Sequence, residues 1–333
     1  MKYRKFGSTD LIVSEVGFGA WGIGGPSMAG DIAIGWGKVD DSESIKALKK
    51  SADIGINFFD TADFYGLGHS EELIGKVFGN DSNILVASKV GHRLSPENKI
   101  YLDYSYDYII KACEKSLLRL NREQIDYYQL HSARLSHLEN GECTEAMEAL
   151  IKQGKIRYWG LSLNTFDPFP EAEFMLKNDI GSGFQLVFNI VNQRARDLFR
   201  QSSEHGYGII ARMPLQFGIL TGKFDRNSQF KKDDHRAFRL TPEVLQATLS
   251  ALEGVWSVSE KYGISKTSLA LSFIMSFEEV STVIPGIKTV QQAVENASSI
   301  EVLQAEDKNF LINKYDEDLK ILMDFIEKEE LKN

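Results

Sequence analysis

Short runs of apolar and β-branched residues alternate with stretches in which apolar residues recur every three or four positions, and the alternation repeats through most of the chain. Such repetition predicts strand–helix units around a parallel sheet. The strand candidates are Val16–Gly19, Ile56–Asp60, Ile84–Ser88, Ile125–Leu130, Tyr158–Ser162, Gly183–Phe188, Gly208–Ala211 and Val280–Pro285. Among the helices between them are Ser42–Asp53, Ser70–Phe78, Tyr106–Leu120, Glu142–Gln153 and Ser265–Ser276. In the first helix Ser42 is expected at the N-cap, Ile45, Leu48 and Ala52 form the apolar stripe, and Gly55 is expected to stop it. Eight strand-plus-helix units imply an α/β fold of the (β/α)8, or TIM-barrel, type. A leading β-hairpin, roughly Lys2–Val13 around Gly7-Ser8-Thr9-Asp10, and a C-terminal helix around Asp307–Ile326 fall outside the count and are expected to cap the barrel. With no proline- or serine-rich linker, residues 1–333 are expected to form one domain. Phe224–Thr241 is a polar loop too long to be a simple connector.

Composition narrows the function classes. With 333 residues, 43% of them hydrophobic and 26% charged, the chain can bury a large core. A formal net charge of −9 argues against a nucleic-acid or anionic-membrane surface, so an anionic ligand must be met locally. Only Cys113 and Cys143 occur, without metal-ligand spacing, which fits a reducing, cytoplasmic setting. The N-terminal stretch has no uninterrupted apolar segment, and no export signal or membrane partner is read from it.

Four polar residues stand at or just beyond strand ends: Asp60 closing INFFD, Tyr65 in the following loop, Lys89 closing NILVASK and His131 closing IDYYQLH. A charge ending an apolar run is costly unless partnered. In a barrel the strand C-termini share one mouth, so these residues converge and can partner each other. A cationic Lys89 beside Asp60 is a tolerable buried pair, and beside Tyr65 it is expected to lower the phenol pKa from ~10, making tyrosine a usable proton donor. Taken singly, Asp60 reads equally as a helix cap, Lys89 as a snorkelling strand-end lysine and His131 as a core histidine; the joint pattern favours an acid–base device.

These residues lie in blocks that resemble the aldo-keto reductase family: INFFDTADFYGLGHSEELIGK, LVASKVG, IDYYQLH, GKIRYWGLS, MPLQFGILTGKF and VIPGIKTVQQAVENA. The resemblance runs from Lys2 to about Ala297. It implies an NADPH-dependent oxidoreductase that reduces aldehydes or ketones, with Tyr65 as proton donor, Asp60 and Lys89 tuning it, and His131 orienting the carbonyl. No GxGxxG follows a strand, so NADP(H) would not be held by a Rossmann fingerprint. The resemblance instead implies that Ser162, Asn164 and Gln185 hold the nicotinamide carboxamide. Many relatives read Ser-Asn directly where this chain has Ser162-Leu163-Asn164, so either Leu163 has displaced that contact or Asn164 supplies it. Arg212 stands where an aromatic often stacks on the nicotinamide; a guanidinium can stack too, or it can pair with a carboxylate at the mouth.

In the next block Pro214, Leu215, Gly218, Leu220 and Lys223 are expected near the pyrophosphate, though a glycine-containing turn explains the same residues. Beyond Gly286, the helix start at Lys288 and Thr289 is a natural anion site. The resemblance assigns these two to the 2′-phosphate and Gln292, Glu295 and Asn296 to the adenine; a solvated lysine is the plain alternative. Trp21, Trp36 and Phe64 are expected to overhang the mouth as substrate-pocket walls or as loop packing, and Trp159 to pack in its strand. His69 and His92 lie near the site only in sequence, and no metal is expected. Two rivals remain open: a cofactor-sensing regulatory module resembling potassium-channel β subunits, and a cofactor-free barrel lyase or isomerase using Lys89 as a Schiff base. The small-molecule carbonyl substrate and the oligomeric state are not legible.

Overall fold

A computed structural model describes residues 1–297 and 300–331. Eight strands form one parallel sheet: β1 (Phe18–Gly19), β2 (Phe58–Asp60), β3 (Leu85–Val90), β4 (Ile125–His131), β5 (Ile156–Ser162), β6 (Gly183–Val187), β7 (Gly208–Arg212) and β8 (Thr282–Ile284). Each strand lies beside its neighbour in sequence, and parallel bridges Val16–Val283 and Gly19–Gly286 join β1 to β8 and close the barrel. The connecting helices are α1 (Asp41–Asp53), α2 (His69–Phe78), α3 (Tyr106–Leu120), α4 (Glu142–Lys152), α5 (Phe169–Asn178), α6 (Leu198–Glu204), α7 (Lys266–Met275) and α8 (Val290–Ala297). No helix among the described residues is long and apolar enough to cross a membrane.

The two-residue period of each strand sorts its side chains. Phe58, Leu85, Ala87, Tyr127, Ile210 and Ile284 pack inside the barrel with Phe6, Leu11 and Val13, while Phe59, Val86, Tyr128 and Leu130 face the helices. The N-terminal hairpin, Tyr3–Lys5 paired antiparallel with Ile12–Ser14, thus plugs the barrel floor with Phe6. Room for that ring comes from glycines: a Cβ on Gly183 would lie 2.4 Å from the Gly208 carbonyl and 2.8 Å from the Phe6 ring. The inward positions one layer above this floor are Asp60, Lys89, Gln129 and Gln185, so the sequence period itself stacks polar groups above an apolar plug.

Several local expectations shift. The N-cap of α1 is Asp40, not Ser42, because the extended Asp40 turns its carboxylate onto the Ser42 N–H. Gly55 does follow that helix, with φ +94°. The C-terminal helix is two α-segments, Ala305–Lys314 and Lys320–Glu330, joined through a π-turn at Tyr315–Leu319. Two small hairpins that the hydrophobic pattern does not announce, Met28–Ala29 with Ile32–Ala33 and His92–Leu94 with Ile100–Leu102, follow β1 and β3.

Candidate active site

Lys89 and Asp60 end adjacent strands and are both buried, at 0% and 2% exposure. The Lys89 ammonium donates to Asp60 Oδ1 at 2.6 Å, to the Thr61 carbonyl at 2.7 Å and to the Tyr65 hydroxyl at 3.3 Å. All three protons are placed. Burial opposes the lysine's charge, but Asp60 and Tyr65 outweigh it and hold Lys89 above its ordinary pKa. An ammonium in that state has no lone pair for a Schiff base.

The second Asp60 oxygen accepts from Gln185 Nε2 at 2.7 Å and Gln129 Nε2 at 3.1 Å. Gln129 was not singled out from the sequence. Its signal was the alternation in IDYYQLH, where Gln129 and His131 share the inward face, with Gln129 in register with Lys89. Gln185 commits its amide nitrogen to Asp60, a duty the family resemblance did not assign it.

Tyr65 stands in a loop held by a close glycine contact: a Cβ on Gly66, φ +61°, would sit 2.1 Å from the Gly24 carbonyl oxygen. Trp21 stacks against the Tyr65 ring, 5.9 Å between centroids. The expected lowering of the phenol pKa is overturned. Lys89 pulls it down, but burial is the larger effect and leaves Tyr65 above its ordinary value, a protonated phenol at neutral pH.

His131 lies edge-on to Tyr65 at 5.9 Å. Burial, reinforced by His92, Lys89 and Arg212, keeps its imidazole neutral, and its Nδ1 is buried without a hydrogen-bond partner among the described residues. His92 is in the site, contrary to the expectation of mere sequence proximity: its ring lies 4.3 Å from His131, because the hairpin after β3 folds back over the mouth. His69 stays outside, paired with Asp41 at 2.9 Å.

Ser162, in register with both His131 and Gln185, ends β5 at the mouth. Leu163 turns into the core at 1% exposure, which leaves Asn164 as the amide at the mouth. Its Oδ1 closes a turn onto the N–H groups of Phe166 and Asp167. Arg212 has no carboxylate partner among the described residues, which removes the salt-bridge alternative. Its guanidinium donates to the Leu163 carbonyl at 3.1 Å and Thr165 Oγ1 at 3.2 Å, its Nε has no partner among the described residues, and burial pulls its pKa to about 10.

The loop after β7 is unusual. Met213, Gln216 and Phe217 all have positive φ with Gly218 beside them, a backbone that concentrates at ligand-binding sites because it is otherwise unfavourable. Gly222 in the same loop, φ +72°, is packed by the Lys266 side chain, so local packing accounts for that glycine. Lys223 reaches Glu295 on α8 at 3.9 Å. Thr289 caps α8 by accepting from the Gln292 N–H, and Gln292 Oε1 accepts from the Lys288 N–H, so both side chains have capping duties. Lys288 is half-buried, its ammonium 5.9 Å from the Trp36 ring and in no salt bridge among the described residues. Asn296 faces inward at 3% exposure.

Trp21 and Trp36 meet at 5.4 Å, and Phe64 lies 5.4 Å from His92. A residue missed in sequence joins them. His235, from the long polar loop, packs 4.4 Å from Trp21 and 4.2 Å from Trp36, with both ring nitrogens buried and without a partner among the described residues. Burial pushes its pKa down to about 3. Trp159 is buried and donates to Glu148. Among the described residues no group of three or more potential metal ligands occurs.

A parallel barrel whose mouth gathers a buried lysine–aspartate pair, a lysine-bound tyrosine and a neutral histidine is an arrangement suited to proton transfer. The chain belongs to the aldo/keto reductase family, whose model matches residues 15–315. It is 31% identical over 300 residues to the uncharacterised oxidoreductase YqkF of Bacillus subtilis, covering 89% of this chain and 90% of that one. It is 27% identical over 325 residues to a probable voltage-gated potassium channel β subunit of rice, covering 91% and 92% of the two chains. The solved glycerol dehydrogenase of Gluconobacter oxydans superposes with a TM-score of 0.78 at 26% identity, covering 95% of each chain.

Proposed function

We propose that this protein is an NADPH-dependent reductase of aldehydes or ketones with Tyr65 as proton donor. The observation that carries the reading is the hydroxyl of Tyr65 lying 3.3 Å from a Lys89 ammonium that Asp60 fixes in its charged state. As the carbonyl oxygen gains negative charge, Tyr65 gives it a proton, and the neighbouring cation stabilises the phenolate left behind. Neutral His131 can donate a hydrogen bond to the same oxygen, and charge stabilisation of this kind acts strongly in a buried site. A positioned general acid contributes ~10²–10⁴-fold. When bound, the nicotinamide supplies the hydride.

The mouth fits such a cofactor. Ser162, the NH2 of Asn164 and the Arg212 Nε offer polar contacts for the nicotinamide end, with the Arg212 plane available for stacking. Pro214, Leu215, Gly218, Leu220 and Lys223 would meet the pyrophosphate. Lys288, half-buried and in no salt bridge among the described residues, would read the 2′-phosphate beside Thr289, with Gly286 and the Gln292, Glu295 and Asn296 face of α8 near the adenine. Trp21, Trp36 and Phe64 would wall the substrate space.

The potassium-channel relative keeps a regulatory reading in view, but the complete acid–base set here favours turnover. The test is NADPH oxidation with a panel of aldehydes and ketones at near-stoichiometric enzyme. Cofactor consumed in step with alcohol formed supports the reading; tight NADPH binding with no turnover on any carbonyl rejects it in favour of the regulatory module.

A further inference from the structure

We propose that His92 is a specificity-determining residue which, beside His131, selects carbonyl compounds carrying a hydroxyl on the carbon next to the carbonyl. The proposal rests on the carbonyl-reductase reading and concerns which carbonyl is taken. His92 begins the hairpin three residues after Lys89, and its placement against His131 is fixed by a third residue. Tyr104 donates its hydroxyl to the His131 carbonyl, and its ring is pressed against Gly91, φ +134°, where a Cβ would lie 2.1 Å from the ring. The two imidazoles therefore sit 4.3 Å apart in a defined edge-on arrangement, with Phe64 flanking His92 at 5.4 Å.

Both imidazoles keep a buried Nδ1 without a partner among the described residues, which is uncommon unless a ligand or solvent completes the site. A carbonyl oxygen held between Tyr65 and His131 would bring its adjoining carbon within reach of His92, whose ring packs directly on His131. Of the two rings on that side Phe64 is apolar and His92 carries a nitrogen without a partner among the described residues, so an oxygen substituent belongs against His92. Burial and the nearby Arg134 hold His92 neutral, its pKa lowered to about 4. A neutral imidazole offers one donor and one lone pair, the complement of a hydroxyl, whereas a carboxylate calls for a cation. A methyl in the same place would leave the imidazole unpaired.

The test compares 2-hydroxypropanal with 2-methylpropanal, which differ by hydroxyl for methyl, in wild type, His92→Phe and His92→Asn. Values of kcat/KM are referred to free aldehyde. The wild type is expected to favour the hydroxy compound about tenfold or more, the scale of one neutral hydrogen bond. His92→Phe should bring the ratio near one while still reducing 2-methylpropanal, and His92→Asn should keep part of the preference. Inhibition by propane-1,2-diol and by 2-methylpropan-1-ol should follow the same order without turnover, and the asparagine variant carries the test if the phenylalanine variant does not fold. A wild type that does not discriminate, or a ratio unchanged in both variants, overturns the proposal. Wild type that reduces no aldehyde at all contradicts carbonyl reduction itself.

Discussion

Lys89 carries its charge where water does not reach it, and what it touches decides its chemistry. With Asp60, Thr61 and Tyr65 taking its three protons, it acts as a fixed cation that partly offsets the burial keeping the phenol protonated. Lys89→Met leaves Asp60 as an unpaired buried carboxylate, so we expect a loss of ~3–5 kcal/mol in urea unfolding, most of it recovered in the double variant with Asp60→Asn. Without the cation the phenol pKa rises further. Alcohol oxidation, which needs a proton acceptor, should therefore shift its pH profile upward with a lower maximum; an unshifted profile would mean that the lysine does not act on Tyr65. At this scale Asp60, Lys89 and His131 stood out jointly, because polar residues at successive strand ends share one mouth, although each alone has an ordinary explanation. His92 and His235 did not, since one depends on which way a hairpin folds and the other on a loop seated against Trp21 and Trp36 by tertiary contact alone.

Strand ends are where the elements do their work, and the two ends of this barrel are built differently. At the floor, Gly183 and Gly208 admit Phe6 as a plug. Gly183→Ala should lower stability by ~1–3 kcal/mol through overpacking while leaving KM unchanged, because the clash lies below the polar layer; a changed KM with unchanged stability would contradict that placement. At the mouth, the β8–α8 corner presents Lys288 half-buried and in no salt bridge among the described residues. Lys288→Glu is expected to weaken NADPH by ~1–3 kcal/mol and NADH far less in fluorescence titrations, since only NADPH bears the 2′-phosphate. Equal weakening would remove Lys288 from that role. The eight strands were readable because each is a short buried run, several of them closed by a polar residue such as Asp60, His131 or Ser162. The hairpins after β1 and β3 were not, because three-residue and two-residue strands such as His92–Leu94 and Ile32–Ala33 leave almost no periodic signal.

For the molecule as a whole, gathering histidines in a buried mouth couples stability to pH. The imidazoles of His92 and His235 have folded pKa values of about 4 and about 3, below the ~6.5 of an unfolded chain. Below pH ~6.5 the unfolded chain therefore binds protons that the folded chain refuses, and stability falls by up to ~1.4 kcal/mol per pH unit for each group as pH drops toward those values. Above pH ~6.5 the two states agree and the loss vanishes. His235→Phe should flatten the decline in urea midpoint between pH 6 and pH 4.5 relative to wild type; parallel slopes would show that His235 is solvated and titrates normally. The same burial holds the His131 pKa well below its ordinary value, so activity near neutral pH should not follow its titration.

The central claim, that Tyr65 hands the proton to the carbonyl oxygen, is tested most directly by stopped-flow oxidation of enzyme-bound NADPH on mixing with an aldehyde, in wild type and Tyr65→Phe. The substitution keeps the ring against Trp21 and removes only the hydroxyl. The account predicts an unchanged NADPH dissociation constant and a single-turnover rate lower by at least ~10²-fold, the low end for a lost general acid. A Tyr65→Phe enzyme that oxidises NADPH at the wild-type rate would contradict it.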